Sequence, residues 1–183
     1  MAIAEALLTA EDFYLLPDKG RHTELVRGRI ATMNMPTPRH GQICSKTDRI
    51  LGAFLDQNPM GHLVTNDSGM VTERNPDTVR GMDVAFYSFQ KIPPGPLQEG
   101  YLQEAPDLVF EVRSPGDRWK KILGKVAEYL NAGVQAVCVL DQQTETAHVY
   151  YADMPVRIFQ AEEDLVIPEV LGDFHAKVKR FFE

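Results

Sequence analysis

Two carboxylates interrupt stretches that are otherwise apolar and β-prone: Asp83 within residues 79–87 and Glu111 within residues 107–113. Side chains alternate between the two faces of a strand. Glu111 is therefore expected to share a face with Val109 and Arg113, opposite Leu108, Phe110 and Val112. Asp83 is expected beside Ala85, opposite Met82, Val84 and Phe86. If the strands are neighbours, both acids converge on one point. Half-buried carboxylates brought together repel unless a proton or a cation intervenes. Hard oxygen donors with few companions suit Mg²⁺ (or Mn²⁺), with water and a substrate phosphate completing the shell. The competing reading of the same residues is two ordinary ion pairs, with Arg80 and Arg113 as partners.

Cations near these acids favour an anionic substrate. Arg113 follows Glu111 by two positions on the same face, and Lys125 and Lys121 lie on one flank of the helix that follows. Two lysines at this spacing repel slightly on an isolated helix, which an anion nearby would offset; a plain solvated lysine face is the alternative. His40 opens another helix, placed to contact phosphate or a carboxylate, or simply to cap and pack. The five histidines show no zinc-ligand spacing, and Cys44 and Cys138, set in apolar periodic segments, read as buried free thiols. Ser114 before Pro115 reads as a turn residue, and no phosphate-binding glycine loop is present.

The elements that must position these groups alternate between helix and strand. A short helix is expected over 9–16, with Thr9 and Asp12 loosely forming a capping box, then two short strands about Gly28 and a helix over 39–57. Short strands at 62–65 and 69–72 and a turn at 75–77 precede the Asp83 strand. A Pro/Gly-rich loop over 92–100 is long enough to bind or cover a site. Beyond the Glu111 strand, a helix over 117–131 carries an apolar stripe of Trp119, Ile122, Leu123, Val126 and Leu130, stopped at Gly133. An all-apolar strand over 134–140 reads as central, followed by strands at 146–151 and 156–160 and a short amphipathic helix near Phe181 and Phe182. This order predicts an α/β fold with a mixed sheet and one right-handed crossover through the 117–131 helix.

The whole chain sets the bounds. Its 183 residues, 44% hydrophobic, suffice for one domain spanning 1–183. No run approaches the roughly 18 apolar residues of a membrane span, and Glu5 argues against a secretory signal, so a cytoplasmic location is expected. A net charge of −7 disfavours a broad basic nucleic-acid surface but leaves room for a focused basic cleft.

Several strings together resemble the Uma2 family, also called DUF820. They are Val79-Arg80-Gly81-Met82-Asp83-Val84-Ala85-Phe86, Pro106-Asp107-Leu108-Val109-Phe110-Glu111-Val112-Arg113-Ser114-Pro115, and Lys125 with Tyr129 and Gly133-Val134. Glu24 to Ile30, Arg39-His40-Gly41, Asp67-Ser68-Gly69, Leu140-Asp141 and Leu171-Gly172-Asp173-Phe174 extend the likeness over nearly the whole chain. The resemblance implies a restriction-endonuclease-like core of the PD-(D/E)xK type: a mixed central sheet flanked by helices, with an N-terminal helix and β-hairpin extension. It implies that Asp83 and Glu111 hold the metal, with the Val112 carbonyl as a further ligand, that Lys125 is the catalytic lysine and that Glu24 is an accessory acid. Met82 replaces the proline usual before the first aspartate. Arg113 stands in the lysine position and, being a poor base, offers only charge, alongside His40 and Lys121 as substrate contacts.

The expectation is a Mg²⁺-dependent endonuclease acting on DNA as a homodimer. Two rivals use the same residues: a non-catalytic nucleic-acid or protein-binding module that keeps the fold, and a hydrolase of another phosphoester.

Overall fold

The computed structural model describes residues 6–17 and 22–183; the expectation about a secretory signal rests on residues outside these. Helix α1 (Ala10–Leu15) begins at Thr9, whose hydroxyl accepts from the Asp12 amide while the Asp12 carboxylate accepts from the Thr9 amide. Strands β1 (Thr23–Val26) and β2 (Arg29–Thr32) form a hairpin whose two turn residues, Arg27 and Gly28, both have positive φ, the geometry that matches strand twist. There follow α2 (Pro38–Gln57), β3 (Gly61–Glu73), β4 (Thr78–Ser88), β5 (Leu108–Arg113), α3 (Trp119–Asn131), β6 (Ala136–Asp141), β7 (Thr146–Tyr150) and β8 (Arg157–Phe159).

Eight strands make one mixed sheet in the order β2-β1-β4-β5-β6-β7-β8, with β3 on the other edge of β4. Only β5 and β6 are parallel, joined through α3 as the strand–helix–strand order predicts. Helix α2 covers one face, where Ile43 and Leu51 meet Val84, Phe86, Leu108, Phe110 and Cys138. Helix α3 covers the other, where Ile122, Val126 and Tyr129 meet Ala85, Tyr87, Val109, Val137 and Val139. Burial on both faces explains the unbroken apolar run of β6.

Four local expectations are corrected. The two strands expected at 62–65 and 69–72 are one, β3, with an irregular register between Thr65 and Ser68. Asn66 (φ +65°) and Asp67 (φ +55°) absorb the extra residue, since Asn and Asp tolerate the left-handed region best. On α3, Leu123 is 42% exposed and Tyr129 is fully buried, so Tyr129 replaces Leu123 in an inward stripe that keeps Trp119, Ile122, Val126 and Leu130. The loop after β4 packs Ile92 and Leu102 onto the α3-side core, and Tyr101 against Gly69; it does not line the cleft described below. At the C-terminus the expected helix is instead α4 (Pro168–Leu171), the pair β9 (Asp164–Leu165) and β10 (Ala176–Lys177), and a 3₁₀ turn over Val178–Phe181. Val178, Phe181 and Phe182 still reach the core.

Asp77 anchors the start of the chain to the sheet. Its carboxylate accepts from the amides of Ala10 (2.8 Å) and Asn75 (3.2 Å) and from the Arg74 guanidinium (2.8 Å). Burial opposes its charge, but these bonds hold its pKa below the usual value. A depressed carboxyl contributes stability above its unfolded pKa and loses it as pH falls through the folded one. Asp77→Asn should therefore cost about 1.5–3 kcal/mol at pH 7, with the gap to wild type closing in acid; urea denaturation at both pH values checks this.

Candidate functional site

The site lies where β4 changes neighbours. On one edge β4 pairs with β3 along its length; on the other it meets β1 at Val79 and β5 only from Val84 to Phe86. Residues 80–83 on that second edge have no strand partner, and side chains take over the missing bonds. Glu24 accepts from the Gly81 amide (3.3 Å), while Lys125 Nζ (3.3 Å) and the Tyr129 hydroxyl (3.2 Å) donate to the Gly81 carbonyl. Opposite, the Val112 amide donates to Asp83 Oδ2 at 2.6 Å. Gly81 lets β3 come close: a Cβ there would stand 3.0 Å from the Cβ of Asp67, which would have to shift by a few tenths of an ångström.

This fork alters the expected face assignment. Met82 joins Ala85 and Tyr87 in the α3-side core, whereas Asp83 reaches toward α2, with its Oδ2 3.3 Å from His40 Nε2. Glu111 turns toward α3 instead: Oε2 accepts from Lys125 Nζ and Oε1 from the Tyr129 hydroxyl, each at 2.8 Å. Both acids nevertheless open into one cleft of about 340 Å³, which His22, His40, Asp67, Val112, Lys121 and Lys125 also line.

Electrostatics couple the members of this group. Burial pushes the Glu111 carboxyl above the usual range; Lys125 opposes that shift and the Asp83 charge adds to it. Burial works against the charge on Lys125, but Glu111, Glu24 and Asp83 outweigh it and raise its pKa. The lysine is thus an ammonium, fixed by two carboxylates. His40 also loses solvent, yet hydrogen bonds to Asp83 and Cys44 raise its pKa to about 11.

Neither Arg80 nor Arg113 pairs with these two acids; Glu111 pairs with Lys125 and Asp83 with His40 instead. Arg80 lies between Glu24 (2.8 Å) and Glu128 (2.6 Å). Arg113 places Nη1 on both Asp141 oxygens, at 2.8 and 2.9 Å, with its guanidinium over the Trp119 ring. Arg113 is not among the residues that line the cleft. Its removal is a stability test: Arg113→Met should cost about 3–5 kcal/mol by leaving Asp141 buried and unpaired, read as a lowered urea midpoint.

Glu24, 5% exposed, does not line the cleft either; it bridges Arg80 and Lys125, the latter at 3.4 Å. Lys121 is exposed at the mouth of the cleft, with no carboxylate partner among the described residues. Sequence reasoning left three neighbours without a role in the chemistry: the Tyr129 hydroxyl, Asp67 and Cys44. Tyr129 follows Lys125 by four residues and Cys44 follows His40 by four, spacings that place each pair on one helix face. Asp67 depends on the β3 irregularity and has no such signal.

The donor set fits a hard divalent ion. Asp83 Oδ1 has no hydrogen-bond partner among the described residues, and each Glu111 oxygen accepts only one bond. Two carboxylates facing a cleft with room for water and phosphate is the usual Mg²⁺ arrangement.

The fold matches the crystal structure of a protein from Anabaena variabilis titled "a putative nuclease belonging to DUF820", with a TM-score of 0.79 and 20% identity over 96% of this chain and 97% of that one. The family model Uma2, described as "Putative restriction endonuclease", matches residues 10–179. The chain belongs to the Uma2 family. Among curated proteins none matches it. No helix among the described residues is long and apolar enough to cross a membrane.

Proposed function

We propose that the protein is a Mg²⁺-dependent endonuclease that hydrolyses DNA phosphodiester bonds at the Asp83–Glu111 cleft. The observation that carries this reading is a single cleft lined by Asp83, by the buried Glu111 and by the Lys125 ammonium. Asp83 and Glu111 would hold the ion, with the Val112 carbonyl as a further ligand, and a bound Mg²⁺ would polarise the phosphate and acidify its water.

The protein's own groups do the rest. Lys125 is held charged by Glu111 and Glu24, which suits it to orient the attacking water and to stabilise the extra negative charge of the transition state rather than to take a proton. Glu24 positions that ammonium through a direct contact. Tyr129 fixes the Glu111 carboxylate by donating to it. Lys121 at the rim, and His40 while protonated, supply positive charge for a phosphate backbone, a focused patch on an acidic protein.

Cutting both strands favours a homodimer, and two unpaired thiols suit a reducing cytoplasm. Supercoiled plasmid incubated with the purified protein should be nicked and linearised with Mg²⁺ or Mn²⁺ and left intact with a chelator. Intact plasmid under all metal conditions, together with no heat of Mn²⁺ binding, would favour the non-catalytic module.

A further inference from the structure

Beside Asp83, on the side away from Glu111, the cleft offers donors of a different chemical character. His40 and Cys44 lie one turn apart on α2, both directed at β4. His40 Nδ1 is 3.5 Å from Cys44 Sγ, and Nε2 is 3.3 Å from Asp83 Oδ2. One donor atom from each of the three residues falls within 4.8 Å of the others. Bonds of roughly 2.0–2.3 Å around a tetrahedral ion set neighbouring donors about 3.3–3.6 Å apart. The two short contacts use opposite ring nitrogens, so a shared ion requires His40 to turn one nitrogen toward both partners and the 4.8 Å spread of the trio to close by about an ångström.

We propose that His40, Cys44 and Asp83 bind a borderline-soft divalent ion of the Zn²⁺ class, at a position distinct from the hard-ion position between Asp83 and Glu111. The inference rests on the nuclease reading only in that the two positions share Asp83. A sulfur donor selects against Mg²⁺ and for Zn²⁺ or Co²⁺. Access is open: a pocket of about 320 Å³ exposes His40, Cys44 and Asp83 together with Asp48 and Asp67. The Asp67 charge acts on both Cys44 and Asp83, delivered there by the left-handed Asn66–Asp67 step. Water supplies the fourth ligand. On binding, the Cys44 thiol proton and one imidazole proton leave to solvent, and Asp83 exchanges its contact with His40 for the ion. An ion seated here withdraws Asp83 from the hard-ion position, so Zn²⁺ is an inhibitor of Mg²⁺-dependent turnover rather than its cofactor.

Co²⁺ reports its own ligands, which makes it the probe. Titrated to one equivalent into the purified full chain without Mg²⁺, it should give a sulfur-to-metal charge-transfer band in the near ultraviolet and the strong visible bands of a four-coordinate ion. One equivalent of Zn²⁺ should bleach both. Cys44→Ser should lose the charge-transfer band and weaken Co²⁺ binding at least about tenfold, a loss of roughly 1.4 kcal/mol. Glu111→Gln should keep the band. A wild-type spectrum without a sulfur band overturns the proposal, as does a band that survives Cys44→Ser or disappears with Glu111→Gln. Plasmid cleavage plays no part in this readout. An inactive protein with an intact Co²⁺–thiolate band would refute only the nuclease reading, and an active Mg²⁺ nuclease without the band would refute only the zinc position.

Discussion

Asp83→Ala and Glu111→Gln should each lower Mg²⁺-dependent plasmid nicking on the order of a thousandfold or more. Loss of a metal carboxylate removes several kcal/mol of charge stabilisation at the scissile phosphate, and about 1.4 kcal/mol is a factor of ten in rate. The two variants should part in stability. Asp83→Ala leaves the Val112 amide without its acceptor and His40 without its counter-charge, so it should unfold more easily. Glu111→Gln keeps the shape but leaves the buried Lys125 with Glu24 as its remaining direct partner, so it also loses stability, though less, because burial already disfavours the Glu111 charge. Nicking gels and urea midpoints on the same preparations separate lost chemistry from lost fold. If nicking persists undiminished with both acids replaced, the cleft is not the catalytic site.

Lys125→Ala should reduce nicking by about 10²–10³, the cost of removing one preorganised charge from the transition state, and should also destabilise the protein by about 3–5 kcal/mol. The second effect arises because Lys125 Nζ reaches Glu111 at 2.8 Å and Glu24 at 3.4 Å, and both acids lie buried. Lys125→Arg keeps the charge and should recover much of the stability. Its planar head does not reproduce the ammonium's contacts with Glu111, Glu24 and the Gly81 carbonyl, so the rate should recover less. Single-turnover cleavage beside urea denaturation measures both. A Lys125→Ala variant as stable as wild type would mean that the two carboxylates are not ionised together.

Much of this arrangement was legible in the chain. Period-2 and period-3.6 patterns placed the two long helices and most strands, and the capping box at Thr9 fixed α1. The acids at 83 and 111 were visible because each breaks an apolar run, and the family likeness supplied Lys125 and Glu24. What escaped notice depended on pairing across distance. Strand alternation put Met82 with Val84, yet the fork between β1 and β5 turns residues 80–83 out of register with that rule. Arg113 looked like a charge for the substrate because its partner Asp141 lies 28 positions away on the neighbouring parallel strand. The Asn66–Asp67 step, which sends an acid into the cleft, depends on two left-handed residues in mid-strand that no periodicity announces.

The fork has a consequence for the backbone itself. Gly81 and Val112 are sheet residues by position, yet their amides are held by the carboxylates of Glu24 and Asp83 instead of by neighbouring carbonyls. Amide exchange there answers to the charge on two side chains, while Val84 and Phe110, paired strand to strand, exchange only when the sheet opens. Anything that claims those carboxylates, whether a proton or an ion, loosens the sheet along the cleft itself.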